Sequence, residues 1–562
     1  MTPLGWCMIC VLFAAIVGWT DRHLIYPDGL SYLDMGSEVS GGNLAALGNT
    51  YWSPAYPALI GAADFVLRPS PANEVPVLQV VNFILYLLTI GAFALFFSAW
   101  SKTIPEFEQT SNTGKGLFTL FAFASFLRFT SLSIGITASD PDMFVAAVVF
   151  FAAALGCRVS RPGASWRQFA LLGALLGAGI YVKAAMFPLA FAFIALLFIS
   201  LGWKSGVRWS RLLSHFAITT AACVLVAAPL IACLSVQKGK LSMGDVGKLN
   251  YMWGVDNFVP NHVGWIGGTA PEYGTPVHPP RVLMENPTVL EFASPVPGTY
   301  PLWHSPGYWY AGAKTVFNLR NQIATIENCL RLYWKIALRS KAPIAGAILL
   351  VVFSIVARRR DIPWRVSLWL VMWPLAACAM YALVRLHERY VAPFLLLLCL
   401  EIYGALVFRV GKRVAIGVCS LVLLVSMWPV ALDGARSLET SVRNFRHPVD
   451  EDYVAVAHKL ENLGLQPGDK LGAVGDAFHS YYARYDQMRV VSQIINGDDF
   501  WKLSAADAKR VEDRFASIGV KALIAVDRPA TNQEAGWIVL GTVKDAGAVS
   551  VFVLKPAEDH PH

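Results

Sequence analysis

The chain has 562 residues, 55% of them hydrophobic and only 15% charged, with a mean hydropathy of +0.49. So apolar a chain cannot cover itself with polar side chains facing water, which excludes an ordinary water-soluble globule and makes lipid part of its solvent. The net charge of +8 does not point to nucleic acid, because Lys and Arg sit in short clusters between apolar runs, where orientation in a membrane accounts for them.

The first apolar run, 4–20, lacks a basic leader and ends in Trp19-Thr20-Asp21 rather than in small residues, so it reads as a retained span and not a cleaved signal. Further runs long enough to cross about 30 Å of hydrocarbon lie at 76–100, 115–133, 141–157, 212–234, 342–357, 364–384, 390–408 and 414–432. The stretch 168–203 is too long for one span, and Tyr181-Val182-Lys183 supplies a polar break for two. The expected fold is therefore mainly α, a polytopic bundle of about 11 spans. Eight of the nine cysteines fall in or beside these runs, and Cys7-Met8-Ile9-Cys10 has no second pair or nearby His to complete a metal site.

With the N-terminus in the cytoplasm, the inside loops carry Lys102 and Lys115; Arg158, Arg161 and Arg167; Lys204, Arg208 and Arg211; Arg358 to Arg360 and Arg365; and Arg409, Lys412 and Arg413. All are basic, as inner-membrane topology requires. The outside then receives 21–75, the turns near 134–140, 181–183 and 385–389, the loop 236–340 and everything after about 433. The long loop holds Trp253, Trp265, Trp303, Tyr308, Trp309 and Tyr310, which suits either a lid at the interface or an aromatic anchor.

Residues 1–432 thus form a transmembrane module and 433–562 a small extracytoplasmic α/β domain. In that tail the pattern predicts helices over 450–462 and 504–518, strands over 470–474, 488–494 and 520–526, and a hairpin from 537–543 and 548–554. Gly472-x-x-Gly475 is not a dinucleotide fingerprint, so no cofactor is assigned there.

Chemistry gathers at the outer face. Asp28, directly after the first span, is either the N-cap of a helix from Gly29 to Val39 or a functional acid at the mouth of a cavity. Asp140 and Asp142 open the fourth span around Pro141, which as first helical residue makes Asp140 the cap and leaves Asp142 free. Lys183, Arg385, His387 and Arg389 reach the same face, where Arg and Lys are normally sparse, and suit either a structural ion pair with Glu388 or an anion site for a phosphate. Carboxylates at such a cleft can bind Mg²⁺ or Mn²⁺, although no ligand cluster demands either.

The run Pro27-Asp28-Gly29-x-Ser31-Tyr32-Leu33-Asp34, then Tyr51-Trp52-Ser53-Pro54-x-Tyr56-Pro57, Pro141-Asp142, Tyr181-x-Lys183 and His387-Glu388-Arg389-Tyr390-x-x-Pro393 resembles the GT-C superfamily of membrane glycosyltransferases. The nearest branch looks like bacterial relatives of protein O-mannosyltransferase and the lipid A aminoarabinose transferase, over roughly residues 1–430. The resemblance implies an inverting transfer of sugar from a polyprenyl-phosphate donor to an extracytoplasmic glycan, lipid or protein. It makes Asp28 the catalytic carboxylate and Asp142 or Asp140 its helper, with Lys183, Arg385, His387 and Arg389 at the donor phosphate and Tyr32, Trp52 and Tyr56 at substrate. The chain departs from the protein O-mannosyltransferases in following Asp28 with Gly29 instead of a second acid. A transporter of lipid-linked sugar is the alternative, but there is no internal repeat and the ionisable residues lie at span ends.

Overall fold

The computed structural model describes residues 2–203, 208–256, 274–296, 298–301, 310–356, 366–446, 452–475, 477–529, 536–543 and 546–554. The loop residues Trp265, Trp303, Tyr308 and Trp309 and the basic residues Lys204, Arg358 to Arg360 and Arg365 lie outside them.

Seven helical segments are long and apolar enough to cross a membrane by length and composition: Pro3–Thr20, Pro71–Ser101, Asn112–Ile134, Asp142–Val159, Trp209–Lys238, Glu388–Val407 and Lys412–Arg443. They make the chain a multi-pass membrane protein. Leu319–Arg339 and Lys341–Val356 add an eighth if counted as one span, although they meet at 79°. Shorter apolar helices lie at Ala55–Leu67, Trp166–Val182, Met186–Gly202 and Leu368–Ala382.

In chain order the helices needed below are α1 (Pro3–Thr20), α2 (Pro27–Ser40), α3 (Ala55–Leu67), α4 (Glu74–Ser101), α5 (Pro105–Gln109), α6 (Asn112–Arg128), α7 (Asp142–Val159), α8 (Trp166–Val182), α9 (Met186–Gly202), α10 (Trp209–Lys238) and α11 (Val246–Gly254). They continue as α12 (Leu319–Arg339), α13 (Lys341–Val356), α14 (Leu368–Ala382), α15 (Glu388–Val407) and α16 (Lys412–Arg446). Close backbone approach is built in by small residues: a Cβ on Gly173 or Gly177 of α8 would strike the carbonyls of Thr219 or Cys223 on α10.

The composition change near Asp433 is not a structural break. Helix α16 runs unbroken to Arg446, and Thr20 at the end of α1 donates to the carbonyl of Ser437 at 2.9 Å. Side chains there turn polar because the helix leaves hydrocarbon, which changes the solvent but not the backbone.

The tail folds much as its pattern predicts, with α17 (Asp452–Asn462), α18 (Tyr481–Tyr485), α19 (Gly497–Trp501) and α20 (Ala505–Ser517) around a sheet. Its strands include β5 (Lys470–Val474), β6 (Arg489–Ile494), β7 (Val520–Val526), β8 (Ile538–Val543) and β9 (Gly547–Val553). The long loop supplies β2 (Arg281–Met284) and β3 (Val289–Glu291) to that same sheet, whose order is β2-β3-β6-β5-β7-β9-β8. A separate two-stranded pair joins β1 (Thr275–Pro276) and β4 (Tyr310–Ala311).

This sheet is seated on the membrane module through a shared apolar cluster running from Tyr32, Trp52 and Tyr56 through Leu290 and Tyr300 to Tyr481 and Val551. A polar lock reinforces it. Arg484 reaches Asp34 at 2.6 Å and Glu74 at 2.8 Å, while the backbone N–H and hydroxyl of Thr299 donate to Asp34 at 2.8 and 2.9 Å. Each buried charge thus has a partner, the condition under which burial of ions is tolerated.

Candidate active site

Helix α2 begins at Pro27, whose fixed φ and missing N–H suit the first helical position, and its cap residue is Tyr26. Asp28 is therefore not the cap. It lies in the first turn and turns its carboxylate toward Arg389, whose Nη2 donates to Asp28 Oδ2 at 3.3 Å. Gly29 permits this placement: a Cβ there would lie 2.6 Å from the Cβ of Ser139 and 2.8 Å from Cγ1 of Ile25.

Ahead of α7 the cap residue is Pro141 and the helix starts at Asp142, one residue later than expected; Asp140 precedes the cap, and its Oδ1 accepts the backbone N–H of Asp142 at 2.9 Å. Its second oxygen, Oδ2, lies 2.9 Å from Arg389 Nη1. Asp142 is not free, contrary to its expected role. One oxygen pairs with Lys183, and the other stands 3.1 Å from Arg389 Nε, off the axis needed for a hydrogen bond. A single guanidinium thus spans three carboxylates, because its planar fork offers separate donors to each.

Lys183 is held by the break between α8 and α9, where it ends the first helix and the next N–H, of Ala184, donates to Ser53 Oγ at 3.0 Å. Its ammonium sits 3.8 Å above the ring of Tyr390. Arg385 donates from Nε to His387 Nε2 at 3.0 Å, so that nitrogen is the acceptor and the His387 proton resides on Nδ1. Burial and the charges of Arg385 and Arg389 push His387 down to about 4, keeping it neutral near pH 7. Among the described residues, no carboxylate pairs with Arg385.

These groups open on one cavity of about 500 Å³, lined by Asp28, Asp140, Asp142, Lys183, Arg385, His387 and Arg389 with Tyr32, Trp52 and Tyr390. Helix α11 of the long loop closes one side with Lys248, Asn250 and Trp253, the last lying 5.5 Å from Tyr51 by ring centroids. Tyr310 belongs to β4, and the other loop aromatics lie outside the described residues.

Burial raises Asp28 above the ordinary carboxylate range, against the opposing pull of Arg389 and Lys183. Burial together with neighbouring Asp142 pushes Asp140 up to about 7. Three carboxylates thus share one cavity with Lys183, Arg385 and Arg389, and burial shifts two of them toward holding a proton.

Of the residues expected at substrate, Tyr32 and Trp52 line the cavity, their rings 4.9 Å apart in an edge contact. Tyr56 does not. It is fully buried behind Tyr32 and donates to Asn82 Oδ1 at 2.6 Å, so it supports the wall. That bond leads to residues the sequence reading passed over. Gln79 Nε2 donates to the carbonyls of Leu24 and Thr137, and Asn82 Nδ2 to that of Ala138, which fixes the turn that carries Asp140. Two amides three residues apart in an apolar span were the available signal, since polar groups in hydrocarbon normally have assigned partners.

Among the described residues no group of three or more His, Cys, Asp or Glu is arranged to hold a metal ion. At the carboxylate cluster itself, Arg389 occupies the shared focus that a divalent ion would take, so these residues do not fit Mg²⁺ or Mn²⁺.

No protein-family model matches the chain, and no curated protein matches it in sequence. Solved structures do match its fold. ArnT from Cupriavidus metallidurans bound to undecaprenyl phosphate is similar over 97% of this chain and 98% of its own, at 13% identity and a TM-score of 0.51. The archaeal oligosaccharyltransferase AglB from Archaeoglobus fulgidus, in complex with an inhibitory peptide and a dolichol-phosphate, is similar over 93% of this chain and 69% of its own, at 13% identity and a TM-score of 0.47. This chain thus shares its fold with ArnT over nearly the full length of both.

Proposed function

We propose that the protein is an inverting membrane glycosyltransferase that takes sugar from a polyprenyl-phosphate donor and delivers it to an extracytoplasmic glycan, lipid or protein. The bent pair counted as one span, together with Trp166–Val182, Met186–Gly202 and Leu368–Ala382, brings the spans to 11, with the N-terminus in the cytoplasm and both the cavity and the sheet domain on the outer side of the inner membrane. The observation that carries the reading is that Asp28, a carboxylate raised by burial, shares one cavity with Lys183 and with Arg385, which has no carboxylate partner among the described residues. A carboxylate and cations facing one space are what transfer from a phosphate leaving group requires.

In this reading Asp28 accepts the proton of the acceptor hydroxyl as its oxygen bonds to the anomeric carbon. The bond from that carbon to the phosphate oxygen breaks with its electron pair, and polyprenyl phosphate departs toward Lys183 and Arg385. Arg389, its fork shared among Asp28, Asp140 and Asp142, positions the base rather than holding the phosphate. The lipid carrier answers a topological need, because a nucleotide sugar cannot bring its charges across hydrocarbon unaided. The solved ArnT structure contains undecaprenyl phosphate, which supports this donor class.

The protein in lipid, given a panel of radiolabelled polyprenyl-phosphate sugars, should release free polyprenyl phosphate, and Asp28→Asn should not. Release undiminished in a folded Asp28→Asn protein would remove Asp28 from the reaction. Binding of donor without turnover by the wild type would favour transport.

A further inference from the structure

Helix α12 has three faces of different character. Thr325, Cys329 and Ile336 are buried against the bundle, and Tyr333 Oη donates to the carbonyl of Cys378 on α14 at 2.8 Å. Leu319, Ile323, Leu330 and Trp334 recur at helical spacing on a second face, each 48–66% exposed, so the described protein leaves this apolar stripe largely uncovered. Beside it a third face presents Arg320, Arg331 and Lys335, all exposed, against the single acid Glu327.

What surrounds the stripe follows from the helix that comes next. α13 belongs to the spanning bundle, since a Cβ on Gly346 would strike Val422 of α16 and Tyr403 of α15, both of them spans. α12 meets α13 at 79°. A helix nearly at right angles to a span lies along the membrane plane, and its 21 residues reach about 32 Å at 1.5 Å per residue. Its last residue, Arg339, pairs at 3.1 Å with Glu388, the first residue of α15, which sets its level at the end of that span that meets the cavity.

An apolar stripe that carries a Trp, bordered by Arg and Lys on a helix lying flat at a membrane face, is built to sit in the headgroup boundary. The basic face adds a preference. Three exposed cations against one acid, on the side of the membrane where Arg and Lys are normally sparse, draw anionic headgroups.

The inner face of the same helix holds the cavity wall. Thr325 Oγ1 donates to the carbonyl of Gly254, the last residue of α11, at 2.8 Å, and Tyr251 Oη of α11 donates to Gln322 Oε1 at 3.0 Å. Gln322 Nε2 in turn donates to the carbonyl of Leu383 at 2.8 Å, two residues before Arg385. Gly254 has no spare room against that segment, because a Cβ there would strike the carbonyl of Val384. Two parts of the cavity lining, α11 and the segment of Arg385, are thus tied to α12.

We propose that α12 docks on the anionic lipid surface of the outer leaflet, and that this seat sets the position of α11 and Arg385 and so the strength of donor binding. The docking stands apart from the proposed reaction; only its effect on the donor rests on that reading.

The full-length protein is to be placed in nanodiscs of phosphatidylcholine alone or of equal parts phosphatidylcholine and phosphatidylglycerol. Hydrogen–deuterium exchange is followed over 319–339 and 246–254, and undecaprenyl phosphate is titrated in each lipid. With phosphatidylglycerol present, wild type should exchange about tenfold more slowly in both segments and bind undecaprenyl phosphate more tightly, within what three basic residues at an anionic surface supply. Arg320→Gln, Arg331→Gln and Lys335→Gln combined should abolish the difference between the lipids. Leu330→Glu, which charges the apolar stripe, should exchange fast in both lipids, and it decides the matter if the triple variant does not fold. Equal exchange by wild type in the two lipids, or a lipid response kept by the folded triple variant, would overturn the docking. So would discs that hold two copies with the stripe protected in either lipid, which would assign this face to a second copy of the chain. A lipid response confined to 319–339, with 246–254 and undecaprenyl phosphate binding unmoved, would overturn the tie to the cavity. An intact exchange response without undecaprenyl phosphate binding in either lipid would support the docking and overturn the proposed reaction.

Discussion

Gly29 and Ser139 approach so closely that a Cβ on the glycine would lie 2.6 Å from the serine Cβ, although the two residues belong to different outer segments. The contact brings the first turn of α2 against the turn before α7, and with it Asp28 beside Asp140 around Arg389. It also gives a physical reason for glycine where a second acid was looked for: the space is already filled. Gly29→Asp should push the two segments apart and reduce transfer at least tenfold, while the protein remains inserted and monodisperse. Steady-state kinetics beside size-exclusion chromatography check this, and unaltered turnover would show that the contact is not needed.

Asp28→Asn should lower kcat by about 10² to 10⁴ with donor affinity little changed, since the lost group acts on the acceptor proton. The pH profile carries a sign. A base works only when deprotonated, and burial raises Asp28, so kcat/KM should fall as pH drops through a value above the ordinary carboxylate pKa of about 3.9. A profile flat down to the range of an exposed aspartate would contradict the assignment.

Arg385→Gln should act on the donor. Arg385 lines the cavity with no carboxylate partner among the described residues, so its loss should raise the donor KM about tenfold and leave the acid limb of the pH profile in place. Titration of undecaprenyl phosphate as a product inhibitor gives an independent reading of the same site, and an unchanged inhibition constant would count against it.

Arg484 joins the sheet domain to Asp34 and Glu74 in a nearly buried position. Arg484→Met leaves two carboxylates unpaired and should cost about 3 to 5 kcal/mol. Thermal unfolding and proteolysis of the full chain would register the loss, and a melting temperature equal to wild type would show that the apolar cluster alone seats the domain.

Asp486 presents the opposite case. It is 3% exposed, neither carboxylate oxygen has a partner among the described residues, and burial with nearby Glu461 pushes it up to about 7. A raised folded pKa means that the folded state binds the proton more tightly. The resulting stability is full below the unfolded value near 3.9 and is lost as pH rises through about 7. Asp486→Asn should therefore stabilise the protein by about 1 to 3 kcal/mol at pH 8 and hardly at all at pH 4. Equal effects at both pH values would refute the buried-acid account.

Local pattern was enough to read much of this molecule. The apolar runs, the polar break at Tyr181-Val182-Lys183, the helices and strands of the tail and the gathering of Asp28, Asp140, Lys183 and Arg389 at one face all follow from periodicity, length and charge, which act over a few residues at a time. What the fold alone decided are pairings between distant segments. Strands β2 and β3 come from the long loop to finish a sheet built by the tail; Asp142 is bound by Lys183 and Arg389; Tyr56 is turned from the cavity to Asn82; and Arg389 serves three carboxylates from two outer segments. Such contacts depend on where elements hundreds of residues apart come to rest, and side-chain identity fixes that only through the packing of the whole chain.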